Sequence, residues 1–288
     1  MTQRRIGVIG GSGLYELDGL TNLRWRAVET PWGAPSDAIL TGELDGAEMA
    51  FLPRHGRGHT IPPGDLNARA NIAALKQLGC TDLLSISAVG SLQEALSPGK
   101  FVVVDQYIDR TVARPSSFFG PGIVAHVSLA DPVCPRLSDL AFRAGQASGA
   151  PIIQGGTYVG IEGPQFSTRA ESRLFRSWGC DVIGMTGMPE ARLAREAELP
   201  YACVGMVTDY DCWREHTADV QVTDVLAILK SNAAAARRLV EALVRLLPEP
   251  REASPIDTTL DMAVVTAPDL WEPTLKAKLA TICPRKFA

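Results

Sequence analysis

Asp209 and Asp211, one residue apart after the apolar run Ala202 to Val207, are the side chains of this sequence best placed to do chemistry together. At a strand end, positions i and i+2 point to the same side, so both acids are expected to meet one ligand. Like charges that close resist ionising together, and partial burial acts the same way, so one acid is expected to keep its proton near neutral pH. A carboxylic acid beside a carboxylate is a donor beside an acceptor, which fits the N7 and 6-amino edge of adenine. Turns and helix caps use the same residues, so the pair alone leaves that structural use open.

Several other segments carry groups suited to an anion or a nucleoside. Gly10-Gly11-Ser12-Gly13 follows an apolar run and can offer backbone amides and a hydroxyl to oxygens. It fails as a dinucleotide fingerprint, because Glu16 stands where a third Gly is required, and no Gly-Lys-Ser/Thr follows. In Arg54-His55-Gly56-Arg57-Gly58-His59, Arg54 is suited to grip a phosphate with two parallel bonds and His55 to add a third. His55 and His59 also have a metal-binding spacing, but only in a helix, which Gly56 and Gly58 oppose. Ser87-Ala88-Val89-Gly90 and Met185-Thr186 sit at strand ends, where open α/β sheets bind ligands. Glu162 can accept from a sugar hydroxyl and Phe166 can stack on a base, while core or turn roles stay open for both.

The elements that must position these groups are legible as alternating strands and helices. Strands are expected at Ile6 to Ile9, Leu83 to Ser87, Phe101 to Val104, Thr157 to Gly160, near Val182 and at Ala202 to Val207, with a hairpin of Ala38 to Leu44 and Ala47 to Leu52 around Asp45-Gly46. Helical spacing marks Asn67 to Leu78, Leu137 to Gln146, Arg169 to Trp178, Pro189 to Ala197 and a long stretch from Val222 to Leu243. The pattern implies an α/β fold with a mixed, mainly parallel central sheet flanked by helices. Pro248-Glu249-Pro250 breaks the composition, so residues 1–247 read as one domain and 248–288 as a C-terminal helical arm.

At 288 residues and 46% hydrophobic, the chain can bury a large core, and a formal charge of −4 gives no general attraction to nucleic acid or anionic membranes. Small-molecule partners are therefore expected. Six cysteines without a CxxC pair fit a reducing compartment, and no segment approaches a membrane span, which together read as cytoplasm. Four histidines make a three-His metal site a poor fit, and no metal is expected.

Taken together, these segments resemble the 5′-methylthioadenosine phosphorylases, a branch of the trimeric purine nucleoside phosphorylases. The resemblance runs from the first strand to about Leu243. It is carried by Ile9-Gly10-Gly11-Ser12-Gly13-Leu14, Arg54-His55-Gly56, Asp105-Gln106-Tyr107-Ile108-Asp109-Arg110-Thr111, Ile161-Glu162-Gly163-Pro164, Met185-Thr186 and Thr208-Asp209-Tyr210-Asp211-Cys212-Trp213. It implies a nucleoside phosphorylase-like fold and phosphate held by Ser12, Arg54, His55, Ser87, Ala88 and Thr186. Met185 would contact ribose, Phe166 the purine, and Asp209 and Asp211 the N7 and 6-amino edge, with Asp209 as general acid. His126 from a neighbouring subunit, with Val222, Val225 and Leu226, would wall a methylthio pocket. The implied reaction is phosphorolysis of methylthioadenosine, with inorganic phosphate as co-substrate, no cofactor, and a homotrimer or a hexamer of two trimers. Gly184 to Ala191 looks more like siblings that accept methylthioinosine, but those carry Asn-Pro where this chain has the two acids. Hydrolysis, a broader purine nucleoside phosphorylase and a non-catalytic nucleoside-binding protein are the competing readings.

Overall fold

The computed structural model describes residues 5–11, 14, 16–214 and 222–288, with backbone alone for residues 222–227, 229 and 230. Its strands are β1 (Arg5–Gly10), β2 (Thr21–Arg26), β3 (Ile39–Leu44), β4 (Ala47–Pro53), β5 (Asp82–Ser91), β6 (Phe101–Val104), β7 (Gln106–Asp109), β8 (Ile152–Gln154), β9 (Thr157–Gly160), β10 (Val182–Gly184) and β11 (Tyr201–Asp209). The helices are α1 (Ala68–Gln77), α2 (Pro135–Ala147), α3 (Arg169–Ser177), α4 (Gly187–Glu196), α5 (Val222–Leu246), α6 (Pro273–Ala280) and α7 (Pro284–Phe287).

The strands join into one mixed sheet in which β4, β1, β5 and β11 run parallel as neighbours. β1 from Ile6 to Gly10 and β11 from Ala202 to Val207 are continuous buried apolar runs, as burial on both faces demands. The expected hairpin is β3 and β4, paired antiparallel, with Asp45 and Gly46 both in the left-handed region (φ 47° and 77°) that a two-residue hairpin turn requires.

Beyond that centre the sheet forks. β5 pairs with β11 from Leu83 to Gly90, and at Gly90 and Ser91 it also pairs with β10. One wing continues β10-β9-β7 and the other β11-β6-β8. A fork of this kind leaves a crevice at the carboxyl ends of the parallel strands, the usual ligand position in open α/β sheets.

Helices α1 and α4 cover one face and share a core with Ile9, Leu83 and Val207. Helices α2 and α5 cover the other face, around Val8, Leu84 and Val204. The C-terminal arm adds to the first core: Leu260, Leu279, Ile282 and Phe287 are buried in the same cluster as Ile9. The fold matches the mixed, mainly parallel α/β architecture expected. β2, β7 and β8 fall outside the expected elements; β2 alternates Leu23 and Trp25 with arginines, yet all six of its residues are exposed. Helix α4 starts at Gly187, two residues before the expected Pro189, and carries a non-helical residue at Met188.

Candidate active site

The apolar run of β11 delivers Asp209 to the fork. A register shift between Val207 and Asp209 sets Asp209 opposite Gly90, and such a bulge re-aims the side chains that follow it. A Cβ added to Gly90 would lie 3.0 Å from Asp209 Oδ1 and 3.5 Å from Asp211 Cβ, so both acids close on one bare stretch of backbone. They do not meet there by strand alternation, as the sequence reading had it. β11 ends at Asp209, and Asp211 lies in the following turn with φ 52°, a left-handed conformation that Asp adopts more readily than most residues.

Hydrogen bonds hold the pair. The Asp211 amide donates to Asp209 Oδ1 at 2.7 Å, and the Thr208 hydroxyl donates to Asp209 Oδ2 at 2.7 Å. Ser167 donates to the Asp211 carboxylate, 2.8 Å from Oδ1 and 2.7 Å from Oδ2. Burial pushes the Asp209 carboxyl above its ordinary range and the neighbouring Asp211 charge adds to this. The Thr208 and Asp211 donors pull the other way without cancelling it.

Three residues back along β5, about 10 Å at the rise of a strand, a second group of polar atoms converges. Ser87 Oγ and Thr186 Oγ1 are 3.0 Å apart. Thr186 precedes the turn that leads into α4 and makes no side-chain capping bond, so its hydroxyl is left to face Ser87. The amides of Thr186 and Gly187 donate to the Tyr158 hydroxyl at 3.3 and 3.4 Å. Ala88 is exposed beside this pair.

Arg54 lies beneath the same strand ends, but its two parallel bonds go to Glu190 in α4 (2.5 and 3.2 Å) and not outward. Further bonds reach Ser85 Oγ at 2.6 Å and the carbonyls of Ile86 and Ile9 at 2.9 and 3.3 Å. The expected two-bond grip on an anion is therefore corrected: that fork is matched to an internal carboxylate. Burial opposes the Arg54 charge, and Glu190 outweighs it, so the guanidinium is held above its ordinary range. His55 Nδ1 lies 2.9 Å from the Ile61 carbonyl, which can only accept, so Nδ1 carries the proton and Nε2 is an acceptor in the neutral ring. Burial, with Arg54 next, pushes His55 down to about 4, so the ring is neutral near pH 7.

On the side of the fork nearer β9, Phe166 is 48% exposed next to Ser167, and Met185 is half-buried. Glu162 does not face the crevice as an open acceptor. It takes bonds from Arg114 Nε at 2.7 Å and from the amides of Val112 and Ala113 at 2.7 and 3.2 Å. Burial would raise this carboxyl, yet those donors hold it below the usual range. His126 is exposed and its amide donates to Ala263 of the C-terminal arm. Ser12 and the side chains of Val222, Val225 and Leu226 lie outside the described residues. Among the described residues no three His, Cys, Asp or Glu side chains converge as metal ligands would.

Sequence reasoning missed Glu190, Tyr158 and Arg114. An acid in the first turn of a helix reads as a dipole partner, a tyrosine in a strand as core, and an arginine in a loop as solvated, so none carried a local signal.

The model of the phosphorylase superfamily matches residues 5–245. The S-methyl-5′-thioadenosine phosphorylase of Cereibacter sphaeroides is 58% identical over 97% of this chain and 97% of its own length. That of Rhodospirillum rubrum is 54% identical over 97% of this chain and 96% of its own. Among solved structures, a methylthioadenosine phosphorylase sourced from an antarctic soil metagenomic library superposes with a TM-score of 0.92 at 47% identity, covering 98% of this chain and 99% of that one. The methylthioadenosine phosphorylase of Schistosoma mansoni in complex with adenine gives 0.80 at 35% identity, covering 98% of each.

Proposed function

The chain belongs to the phosphorylase superfamily and within it to the S-methyl-5′-thioadenosine phosphorylases, and from that premise we propose that it cleaves S-methyl-5′-thioadenosine with inorganic phosphate to adenine and 5-methylthioribose 1-phosphate. The observation that carries this reading is the acid pair on Gly90, three residues along β5 from the Ser87–Thr186 hydroxyls. One end of that crevice suits a purine edge and the other an anion.

Phosphate attacks the anomeric carbon as the bond to adenine breaks, and the departing base gathers negative charge. Asp209, whose carboxyl is shifted toward its protonated form, donates to N7. Asp211, fixed by Ser167, accepts from the 6-amino group. A 6-oxo base would present an acceptor there, so adenine is favoured over hypoxanthine. Phosphate lies against Ser87, Ala88 and Thr186 at the start of α4, with Ser12 from the glycine turn. Arg54 gives one N–H of Nη1 to the Ile86 carbonyl and offers the other to the anion. His55, being neutral, accepts from a protonated phosphate oxygen. The bound anion also balances the positive charge that grows on the sugar.

Met185 and Phe166 contact the ribose and the base. Val222, Val225 and Leu226, with His126 of a neighbouring subunit, wall the methylthio group, which makes adenosine a poorer substrate because its 5′ hydroxyl would be buried without a partner. The assembly is a homotrimer or a hexamer of two trimers, since the exposed His126 needs a second chain's cleft to serve in. The reaction draws on no metal or organic cofactor. No helix among the described residues is long and apolar enough to cross a membrane, and the proposed location is the cytoplasm.

The test is release of free base from methylthioadenosine and methylthioinosine, each with and without inorganic phosphate. Adenine release that requires phosphate is the expected outcome. Release at the same rate without phosphate would mean hydrolysis, and no release would leave a nucleoside-binding protein.

A further inference from the structure

Arg114 is the most fully engaged side chain near the crevice, yet it belongs to none of the groups that would touch substrate. Its side chain is 3% exposed, and all five of its N–H donors have acceptors. Nε donates to Glu162 Oε1 at 2.7 Å. Nη1 donates to the carbonyls of Met185 and Met188 at 2.5 and 3.1 Å. Nη2 donates to the carbonyls of Glu162 and Ile161 at 2.5 and 3.4 Å. One guanidinium thus ties its own loop to the loop after β9 and to the turn that leads into α4.

The bond to the Met185 carbonyl bears on phosphate. That carbonyl and the Thr186 amide belong to one planar trans peptide and point in opposite directions. Arg114 holds the oxygen end, and the Tyr158 hydroxyl, 3.3 Å from the Thr186 nitrogen, holds the other. With both ends gripped, the plane cannot turn, and the direction in which Thr186 leaves the backbone is set. Thr186 Oγ1 is then presented 3.0 Å from Ser87 Oγ.

We propose that Arg114 is a positioning residue for the phosphate site, acting with Tyr158 by clamping the Met185–Thr186 peptide so that the Thr186 and Ser87 hydroxyls converge on one anion. This rests on the phosphorolysis reading given above. A lysine keeps the charge of Arg114 but has a single donor centre, which cannot span carbonyls on two loops. The acids at the far end of the crevice are not touched by the change.

The experiment is steady-state kinetics of Arg114→Lys and Tyr158→Phe, with phosphate and methylthioadenosine varied in turn and circular dichroism checking the fold. Arg114→Lys is expected to raise the KM for phosphate about tenfold, inside the ~10²-fold that a displacement of ~1 Å can cost. The kcat should fall less than about threefold, with its pH profile unmoved. Tyr158→Phe should move the same KM in the same direction. A folded Arg114→Lys protein with the wild-type KM for phosphate overturns the inference, as does a loss confined to kcat or a displaced pH profile. Should Arg114→Lys not fold, Tyr158→Phe decides, and an unchanged KM again overturns it. Wild-type turnover that ignores phosphate would instead sink the phosphorolysis reading, a result visible before any variant is made.

Discussion

Glu190 in α4 and Asp209 at the end of β11 are two acids that their surroundings treat in opposite ways. Glu190 is buried against the Arg54 guanidinium, 2.5 Å away, in a pair that also engages Ser85 and Tyr201. Asp209 is half-buried, and the ionisable group beside it is another acid. Opposite charge makes the first carboxylate an anchor that fixes the floor of the crevice. Burial, with the neighbouring acid adding to it, shifts the second toward its protonated form, as the proposed acid role requires. Glu196 shows that a raised carboxyl alone is no sign of catalysis. Burial pushes it up to about 7 against the pull of the Phe118 amide and Ser117 hydroxyl, and its role is to tie that loop to α4. What sets Asp209 apart is a second acid on the same half-buried glycine, Gly90.

Replacing Asp209 by Asn removes the carried proton, and kcat for methylthioadenosine should fall by about 10²–10⁴ while urea unfolding changes little. Wild-type kcat would remove Asp209 from the acid role and erase the contrast. Glu190→Gln attacks the anchor: a buried guanidinium without its counter-charge should cost roughly 3–5 kcal/mol of stability, read from the unfolding midpoint. A loss under about 1 kcal/mol, the range of an exposed pair, would mean that the carbonyls of Ile9 and Ile86 suffice for Arg54.

Glu196→Gln sharpens the third case through pH. The folded pKa of Glu196 is raised, so its contribution is complete below the ordinary carboxylate range and is lost as pH rises through about 7. The Gln protein should lack that decline, with a difference on the order of 3 kcal/mol between pH 5 and 8. Parallel stability-against-pH curves for the two proteins would refute this.

The sequence carried the hairpin, the strand Thr157–Gly160 and the helices, because each rests on local periodicity or turn chemistry. It also carried the acid pair, though by the wrong geometry, since alternation along a strand is readable while a left-handed turn at Asp211 is not. The fork at Gly90 was hidden for a different reason. β5 pairs with β1, β11 and β10, all largely apolar, and nothing in these runs says where along β5 each pairing begins or ends. Arg54 was noticed as a phosphate ligand, yet its true neighbour Glu190 lies 136 residues away and no spacing links them. Arg114 left no trace because its acceptors are mostly backbone carbonyls, which every residue possesses.

Beyond Gly90, among the described residues, no ladder of backbone bonds joins the wing that starts with β10 to the wing that starts with β11; β5 is paired with both, and the chain passes from one to the other at Asp105, between β6 and β7. A nucleoside lying with its sugar on Met185 and its base on Asp209, as proposed above, would bridge that seam as a rung between wings that β5 joins at one side and the chain at Asp105 joins at the other. The guest then serves as a structural member of its host.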